Sequence, residues 1–484
     1  MGSEMLIAHL SYEVAPFVKR GGMADVAGAL PVYLQSATLD NVVVTPFYYE
    51  AMTSTAGIAD TGARLEVPYE GTTYEVKVLA AAHRGIRCVF LAEPHFFDRD
   101  DIYHRADGKP YADGTQRGAF FAKAAWHYIR DVLGGAEHVV LHDWEGAALL
   151  AYLDAGAGRP TTTNIIHNLQ WQGDVDPALA PTLDPPLAAA LGRLAARGRP
   201  LSMTGLAVDL CDHVVTVSGT YRDELIAGDL PMHATAGLFT PDVQRKLVGF
   251  VNGIDAATWG NAARFDTIVE EKRQAAVEVR ARTGLALDKP LALLMCRLTR
   301  QKGIDLLLDP GAEELIRGAL ERFNIVVCGQ TSEDPARIGG GFSRLAMRFA
   351  GSFGYINRYD DALGKLLFKA ADVFLFPSLF EPCGLTQMYA MAQGTVPVAR
   401  ATGGLKDTIV DETTHPGRGT GFLFEEFSAR ALFAALDRAG ELMRDRAAWT
   451  ALMRRAVAED HSWQRRVAPY RELFERRTKA GTAP

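Results

Sequence analysis

The sequence is poor in cysteine, and its few thiols are scattered. Five cysteines are spread over 484 residues, and none belongs to a C-x-x-C pair of the kind that structural metal or redox sites use. An odd, scattered set of thiols is typical of a reducing cytoplasm. The five positions are Cys88, Cys211, Cys296, Cys328 and Cys383. We expect Cys383 to be a packed thiol rather than a nucleophile, since no histidine lies near it in the sequence.

Long apolar runs and an excess of positive charge are also missing. No stretch reaches the roughly 18 uninterrupted apolar residues of a membrane-spanning helix. The beginning of the sequence, MGSEMLIAHLSYEVAPF, lacks the basic region and long apolar stretch of a signal peptide. The formal net charge of −7 argues against general affinity for nucleic acids or anionic membranes. We therefore predict a cytoplasmic protein that binds neither nucleic acid nor membrane.

The composition and patterning are those of a soluble α/β protein. Hydrophobic residues make up 48% of the sequence and charged residues 23%, as in globular proteins. The chain is too long for one ordinary core, so about two or three domains are expected. Short apolar strands alternate with helical segments in both halves, which favours two doubly wound domains. The alternation in LEVPYEGTTYEVKVL predicts strands linked by a hairpin.

The segment around Glu381 has the pattern of a strand, a turn and a helix. The run DVFLF predicts a buried strand that Pro377 and Ser378 end, and LTQMYAMAQG predicts the helix. A helix start presents unpaired N–H groups to phosphate. Because a diphosphate would repel Glu381, this carboxylate more plausibly faces the sugar that the diphosphate carries. The turn alone would favour an ordinary connection with a solvated glutamate.

A similar strand, glycine loop and helix lies near the beginning of the sequence. MLIAHL predicts a strand, and an apolar helix follows as far as Leu34. Between them, Gly21 and Gly22 let the backbone approach a ligand closely, and Lys19 supplies a mobile charge suited to phosphate. Taken alone, K-x-G-G is a weak signal.

Two further strand ends carry polar residues. His167 and Asn168 follow the apolar strand in TTTNII, where a lone histidine is more often structural. Arg297 and Lys302 lie five residues apart around a predicted strand-to-helix turn, so both can point at one anion. A surface pair of this kind is usually only solvated.

These segments together resemble a known family. FEPCGLTQ followed by GTVPVARATGGLKD resembles the donor-site signature of bacterial glycogen synthases and plant starch synthases, which are retaining glycosyltransferases that usually use ADP-glucose. The resemblance recurs in order along the chain. KRGGM is similar to the family's K-T-G-G-L, HDWE to H-D-W-H, HNL to H-N-L, and RLTRQKG to R-L-T-x-Q-K-G.

The resemblance implies a GT-B fold, in which two Rossmann-like domains face each other across a cleft. Residues 1–249 would form the acceptor-side domain and residues 250–459 the nucleotide-sugar donor domain. Residues 460–484 would form a helix that crosses back to the first domain.

The resemblance also implies roles for individual residues. Arg297 and Lys302 would bind the donor diphosphate, and Glu381 would orient sugar hydroxyls. The main-chain carbonyl of His167 would face the developing positive charge, and Asp25 would bind sugar or acceptor hydroxyls, with Asp143 a weaker candidate. The implied donor-binding residues are Lys19, Gly21, Gly22, Asn168, Tyr359 (against the adenine ring), Cys383, Gly384, Leu385 and Thr386.

The implied reaction transfers glucose from ADP-glucose to the nonreducing 4-hydroxyl of an α-1,4-glucan, with retention and front-face attack by the acceptor. No metal or other cofactor is expected, because the protein's cations could stabilise the diphosphate and no D-x-D pair stands out at a strand end.

Two alternatives stay open at this point. A retaining GT-B enzyme with another donor or acceptor would keep Glu381 and the cationic pair while its first-domain loops change. The departures from the family pattern lie in those loops, at Arg20, Gly118, Glu145, Gln170 and Trp171. A glucan-binding regulatory protein without turnover would instead have a broken donor site.

Overall fold

The computed structural model describes residues 5–105, 109–153, 159–231, 234–259, 265–283, 285–286, 288–331, 334–358 and 361–480. The chain divides into two units. The amino-terminal unit comprises Met1–Asn252 together with Trp463–Pro484, and the carboxy-terminal unit comprises Gly253–Ser462. The chain therefore passes from one unit to the other after residues 252 and 462, each three residues beyond the predicted domain boundaries at 249 and 459.

The amino-terminal unit is built on a nine-stranded sheet with the order β3-β4-β5-β2-β1-β6-β7-β8-β9. Seven neighbouring strands of this sheet, from β5 through β2, β1, β6, β7 and β8 to β9, run parallel to one another. The antiparallel hairpin of β3 and β4 extends the sheet beyond β5. The strands are β1 (Met5–Leu10), β2 (Leu39–Pro46), β3 (Ala59–Tyr69), β4 (Thr72–His83), β5 (Ile86–Ala92), β6 (His138–His142), β7 (Thr161–Ile166), β8 (His213–Thr216) and β9 (Leu247–Gly249). The predicted hairpin is confirmed.

The carboxy-terminal unit has a six-stranded parallel sheet with the order β12-β11-β10-β13-β14-β15. Its strands are β10 (Leu291–Met295), β11 (Asn324–Cys328), β12 (Phe353–Ile356), β13 (Val373–Phe376), β14 (Val396–Arg400) and β15 (Phe422–Phe424). Apart from the buried Asn324 at the start of β11, they are mostly apolar along their buried length, as expected when helices cover both faces of such a sheet.

Helices connect the strands in both units. The α-helices are α1 (Gly22–Leu34), α2 (Pro94–Phe97), α3 (Gly114–His127), α4 (Pro185–Ala196), α5 (Met203–Leu210), α6 (Gly219–Ala227), α7 (Pro241–Gln244), α8 (Ala256–Trp259), α9 (Phe265–Thr283), α10 (Asp305–Leu308), α11 (Ala312–Leu320), α12 (Pro335–Arg348), α13 (Asp361–Ala370), α14 (Thr386–Ala392), α15 (Gly403–Thr408), α16 (Ala429–Met443), α17 (Arg446–Ala458), α18 (Trp463–Arg466) and α19 (Ala468–Ala480). A π-helix spans Tyr128–Val132, and 3-10 helices span Ala147–Ala151, Ala180–Thr182 and Arg300–Lys302. Among the described residues, no helix is long and apolar enough to cross a membrane.

The last two helices pack on the amino-terminal unit. Trp463 of α18 is buried, and the ring of Phe474 in α19 lies 4.5 Å from the ring of His138. The guanidinium of Arg471 donates to the carbonyl of Tyr33 at 2.9 Å. The end of the chain thus contributes to the core of the unit in which the chain begins.

Each sheet has a point at which the chain reverses its direction of winding. Strand β1 lies between β2 and β6, and β10 lies between β11 and β13. Connections leave these strand pairs toward opposite sides, which opens a crevice at their carboxyl ends where ligands of α/β proteins bind. The candidate site residues follow these strands and their neighbours.

Candidate active site

In the carboxy-terminal unit, the structure joins Glu381 and Lys302 in an ion pair. Glu381 lies in the loop between β13 and α14, and its Oε2 accepts hydrogen bonds from Lys302 Nζ at 2.6 Å and from Ser378 Oγ at 3.0 Å. The two charged side chains are only 15% and 7% exposed, for Lys302 and Glu381 respectively. The sequence predicts both residues at this edge of the sheet but not their direct contact.

A close approach of two loops makes this ion pair possible. Gly303, which follows Lys302, has a φ of +71°, and a Cβ there would lie 1.8 Å from the carbonyl oxygen of Pro377. Only glycine fits this position. The amide of Leu379 donates to the carbonyl of Gln301 at 2.8 Å across the same gap. The loops after β10 and β13 are therefore held together by backbone contacts as well as by charge.

Arg297 is the second cation at this edge. It follows β10 and is exposed, and within the described part of the chain it has no ion pair. Burial raises the pKa of the neighbouring Cys296 thiol to about 12, while Lys302 and Arg297 lower that pKa and Glu381 raises it. All three charges thus act on one sulfur atom, so the structure brings Arg297, Lys302 and Glu381 to the same edge of the sheet.

The turn before α14 is shaped by glycine and by a buried amide. Gly384 has a φ of +69°, and Gln387 Nε2 donates to the carbonyls of Cys383 and Gly384 at 3.1 and 3.0 Å. Leu385 precedes the helix, which runs from Thr386, and its apolar side chain cannot cap the N–H groups at the helix start. The helix has only seven residues, which limits the contribution of its dipole.

Of two other residues predicted to bind the donor, the structure describes Cys383 but not Tyr359. Cys383 is buried, with 5% of its surface exposed, which agrees with a packed thiol. Tyr359 lies outside the described residues.

In the amino-terminal unit, Glu13 organises the K-R-G-G loop. The amides of Arg20 and Gly21 donate to Glu13 Oε2, the latter at 2.8 Å, and Tyr103 donates to Glu13 Oε1 at 2.8 Å. These two backbone donors are therefore committed to a carboxylate. Sequence analysis missed Glu13, although its place three residues beyond β1 marks a strand end that carries a charge.

Of the residues predicted to bind ligand in this loop, Lys19 pairs with Asp25, and the two glycines lie at the start of a helix. Lys19 Nζ lies 2.7 Å from Asp25 Oδ1, and both side chains remain partly exposed. Gly21 precedes α1 and Gly22 begins it. Arg20, which departs from the family pattern, pairs with Asp101 at 2.6 Å on the surface. Its guanidinium also donates to the carbonyl of Lys19 at 3.1 Å, so the substituted side chain contacts the loop and leaves the Lys19–Asp25 pair in place.

His167 and Asn168 occupy a loop that Asp143 holds. Asp143, at the end of β6, accepts hydrogen bonds from the amides of His167 at 2.6 Å and Asn168 at 3.3 Å. The side-chain oxygen of Asn168 accepts from the amide of Gln170 at 3.1 Å, which turns the side-chain nitrogen away from this contact as a donor for a ligand. Asp143 itself adopts a φ of +59°, a conformation that costs free energy in a non-glycine residue.

The ring of His167 belongs to a buried row of three histidines. His142 Nδ1 lies 2.9 Å from His167 Nε2, and His9 Nδ1 lies 3.4 Å from His142 Nε2. Burial lowers the pKa of His167 to about 3 and that of His9 to about 4, and it lowers the pKa of His142 well below 6.5. All three imidazoles are therefore neutral near neutral pH. His142 begins the HDWE segment quoted in the sequence analysis but was given no role there, and His9 was not named.

A second carboxyl lies beside Asp143. Glu145 stands where the family has a histidine, and it is buried with Oε2 unpartnered within the described part of the chain. Burial raises the pKa of Glu145 well above 4.5, and the charge of Asp143 raises it further. Burial and Glu13 likewise raise the pKa of Asp143, against the two backbone N–H donors that lower it. Both carboxyls therefore keep their protons to a higher pH than an exposed carboxyl does.

Replacing Glu145 with glutamine is expected to change how stability depends on pH. Because the pKa of Glu145 is higher in the folded protein than its ordinary value of 4.5, the folded state retains a proton that the unfolded chain releases. The free energy of unfolding therefore falls as pH rises between those two pKa values. Glutamine cannot ionise, so Glu145→Gln should remove part of this fall. Urea unfolding of both proteins from about pH 5 to about pH 8 would test this, and parallel profiles would contradict it.

Two further residues that depart from the family pattern, Trp171 and Gly118, lie near aromatic side chains. Trp171 is 56% exposed and meets the ring of His104 edge-on at 6.5 Å. A Cβ on Gly118 would lie 3.1 Å from Trp144, so a larger residue there would displace the indole. Among the described residues, no group of three histidines, cysteines, aspartates or glutamates is placed to hold a metal ion.

Comparison with known protein families covers both units. The family model described as starch synthase catalytic domain matches residues 6–238, and that described as glycosyl transferases group 1 matches residues 277–454. The chain is 34% identical to glycogen synthase 2 of Geobacter sulfurreducens, over 97% of this chain and 98% of that protein. It is 35% identical to glycogen synthase of Anaeromyxobacter dehalogenans, over 97% and 99% respectively.

Solved structures show the same architecture. The catalytic domain of starch synthase IV from Arabidopsis thaliana, bound to ADP and acarbose, superposes with a TM-score of 0.83 at 26% identity. That match covers 99% of this chain and 100% of that chain. Sucrose-phosphate synthase from Thermosynechococcus elongatus, at 18% identity and a TM-score of 0.62, shares the fold.

These likenesses and the two parallel-sheet units define a glycosyltransferase with the GT-B fold, which confirms the predicted fold class. The chain belongs to the glycogen synthase and starch synthase family of retaining glycosyltransferases.

Proposed function

We propose that this enzyme transfers glucose from ADP-glucose to the nonreducing 4-hydroxyl of an α-1,4-glucan, with retention of configuration. The observation that carries the proposal is the Lys302–Glu381 ion pair, with the exposed Arg297 close by. The full-length similarity to glycogen synthases supports the glucan acceptor, and the ADP in the starch synthase IV structure supports an adenine nucleotide donor.

The two cations suit a departing diphosphate. Breaking the bond between the sugar and the diphosphate leaves negative charge on the leaving group, and preorganised cations lower the barrier to that step. Arg297 can donate two parallel hydrogen bonds, and Lys302 can keep one N–H on Glu381 while it turns the others to phosphate. In this proposal the protein supplies the positive charge and no metal is required.

Glu381 suits the sugar rather than the phosphate. Its Oε2 is occupied by Lys302 and Ser378, while its Oε1 has no hydrogen bond to any residue in the described ranges. We infer that Oε1 accepts from a glucose hydroxyl. A carboxylate held in this way is poorly placed to attack the anomeric carbon, so we favour front-face attack by the acceptor hydroxyl.

We infer that residues of the amino-terminal unit contribute to the same reaction. Asp143 holds the loop that carries His167, and this fixes the main-chain carbonyl proposed to face the developing positive charge. Lys19 is proposed to bind the donor, and its partner Asp25 to bind sugar or acceptor hydroxyls. Asn168 is proposed to donate from its side-chain nitrogen.

The alternative proposal is a retaining glycosyltransferase that uses a different acceptor. Trp171 and Glu145 both depart from the family pattern, and Trp171 exposes more than half of its surface on the loop after His167. An exposed indole can stack on a sugar ring, so it can alter which acceptor binds.

We place the enzyme in the cytoplasm, since the described cysteines are all free thiols.

Release of nucleotide from ADP-glucose and UDP-glucose, each with and without glycogen, tests the proposal. We expect ADP release that requires glycogen, with radiolabelled glucose entering the polymer. A panel of other acceptors run in parallel separates the alternative, because release with a different acceptor but not with glycogen would identify that acceptor class. No release from either donor under any condition would contradict both.

A further inference from the structure

A continuous row of hydrogen-bonded side chains leads to His167 from the opposite side of β1. Each member contacts the next, although the residues come from the C-cap of α1, from β2, β1 and β6, and from the position after β7. In order, the row consists of Asp40, Gln35, Asn41, His9, His142 and His167.

The orientation of the Gln35 amide is fixed at the far end of this row. Gln35 Oε1 lies 3.0 Å from the backbone nitrogen of Asn41, and a backbone N–H can only donate. Gln35 Nε2 lies 3.1 Å from Asp40 Oδ1, and an ionised carboxylate can only accept. Both contacts require the same orientation, with the oxygen toward Asn41 and the nitrogen toward Asp40.

This orientation dictates the next two. Asn41 Nδ2 donates to Gln35 Oε1 at 3.1 Å, so Asn41 Oδ1 faces the other way. Asn41 Oδ1 lies 3.1 Å from His9 Nε2 and must accept from it. A neutral imidazole carries one proton, so His9 holds it on Nε2 and leaves Nδ1 as an acceptor.

The same logic passes through the two remaining rings. His9 Nδ1 can accept only if His142 carries its proton on Nε2, at 3.4 Å. His142 Nδ1 is then the acceptor for His167 Nε2, at 2.9 Å. Because burial keeps all three rings neutral, no second proton can reverse the sequence of bonds.

We propose that Asp40, Gln35, Asn41 and His9 are positioning residues that fix the tautomer of His167, with its proton on Nε2 and its Nδ1 as a hydrogen-bond acceptor. Nδ1 has no hydrogen bond to a residue in the described ranges, and 9% of the surface of His167 is exposed. An acceptor nitrogen recognises a hydroxyl and repels a phosphate oxygen. The identification of that hydroxyl as one of the transferred glucose rests on the proposed function.

Nitrogen NMR of the full-length enzyme labelled with 15N-histidine tests the tautomer directly. The His167 signals are identified by their loss in His167→Gln. We expect a pyridine-type shift for His167 Nδ1 and a pyrrole-type shift for Nε2 at neutral pH. Protonation at Nδ1 in the parent enzyme would overturn the proposal. This readout needs no turnover, so it stands or fails independently of the donor and acceptor.

A matched pair of variants tests whether the far end controls His167. Gln35 is only half-buried. Gln35→Leu removes the acceptor that orients Asn41, so the His167 signals should shift toward a mixture of tautomers. We expect kcat/KM to fall about tenfold, the loss of one hydrogen bond. The double variant Gln35→Glu with Asp40→Asn keeps an acceptor facing Asn41 and avoids setting two carboxylates against each other, so it should restore the single tautomer and recover most of the activity. An unchanged tautomer in Gln35→Leu, or a mixture in both variants, would overturn the control by Gln35.

Discussion

Lys302→Ala is expected to lower both the turnover and the stability of the enzyme. Loss of a cation that faces the departing diphosphate should raise the barrier by roughly 2–4 kcal/mol. The same change leaves the carboxylate of Glu381, 7% exposed, without its ion-pair partner. Removing one member of a buried pair typically costs about 3–5 kcal/mol of stability. Urea unfolding and release of ADP from ADP-glucose measure the two effects separately.

The double variant Lys302→Ala with Glu381→Gln is the control for this prediction. Glutamine has no charge to compensate and can still accept from Ser378, so most of the lost stability should return. Turnover should stay low, because neither the cation nor the carboxylate is restored. If the single variant were as stable as the parent, or if the double variant regained turnover, the assigned role of the pair would be wrong.

Arg297→Ala is expected to lower turnover without lowering stability. Arg297 is exposed and has no ion pair in the described part of the chain, so its removal leaves no buried charge uncompensated. Its contribution to the leaving group should again be on the order of 2–4 kcal/mol. We therefore expect kcat/KM for ADP-glucose to fall by about 30-fold to about 900-fold while the midpoint of urea unfolding stays at the parental value.

Arg300→Ala provides a neighbouring arginine for comparison. Arg300 lies on the same loop, its side chain is 69% exposed, and it lies 4.0 Å from Asp305. An exposed pair of this kind contributes little to stability, and we assign Arg300 no part in the reaction. Turnover that fell equally in Arg297→Ala and Arg300→Ala would indicate a general effect of charge on the loop. Turnover within a few-fold of the parent in Arg297→Ala would exclude a diphosphate contact.

The fold could be predicted because it depends on local patterns. Apolar runs such as Leu291–Met295 and Val373–Phe376 are long enough for strands and too short for helices, and each is followed by turn residues and a helical segment. Repetition of that unit requires parallel strands, and the carboxyl ends of parallel strands share one edge of the sheet. Arg297 and Glu381 could therefore be expected near each other from the sequence.

The contacts that give these residues their chemistry could not be predicted in this way. Lys302 and Glu381 are separated by 79 residues, and nothing in either motif specifies that they pair rather than face separate groups. Glu13, which takes the backbone donors of the K-R-G-G loop, lies in a segment that reads as an ordinary strand end. Such a pairing depends on how the loops approach, which Gly303 permits at the carboxy-terminal edge.

The row of histidines shows most clearly which features the sequence determines and which depend on the tertiary structure. Residue types and strand ends, visible in the printed sequence, were enough to assign the α/β class and the family resemblance and to predict His167 as a site residue. His9 and His142 are 133 residues apart and His9 and Asn41 are 32 apart, so the register of β1 against β2 and β6 was needed to join them. Hydrogen bonds act over about 3 Å and depend on direction. Which side chains bond, and therefore which nitrogen of His167 holds the proton, was settled by packing between distant segments.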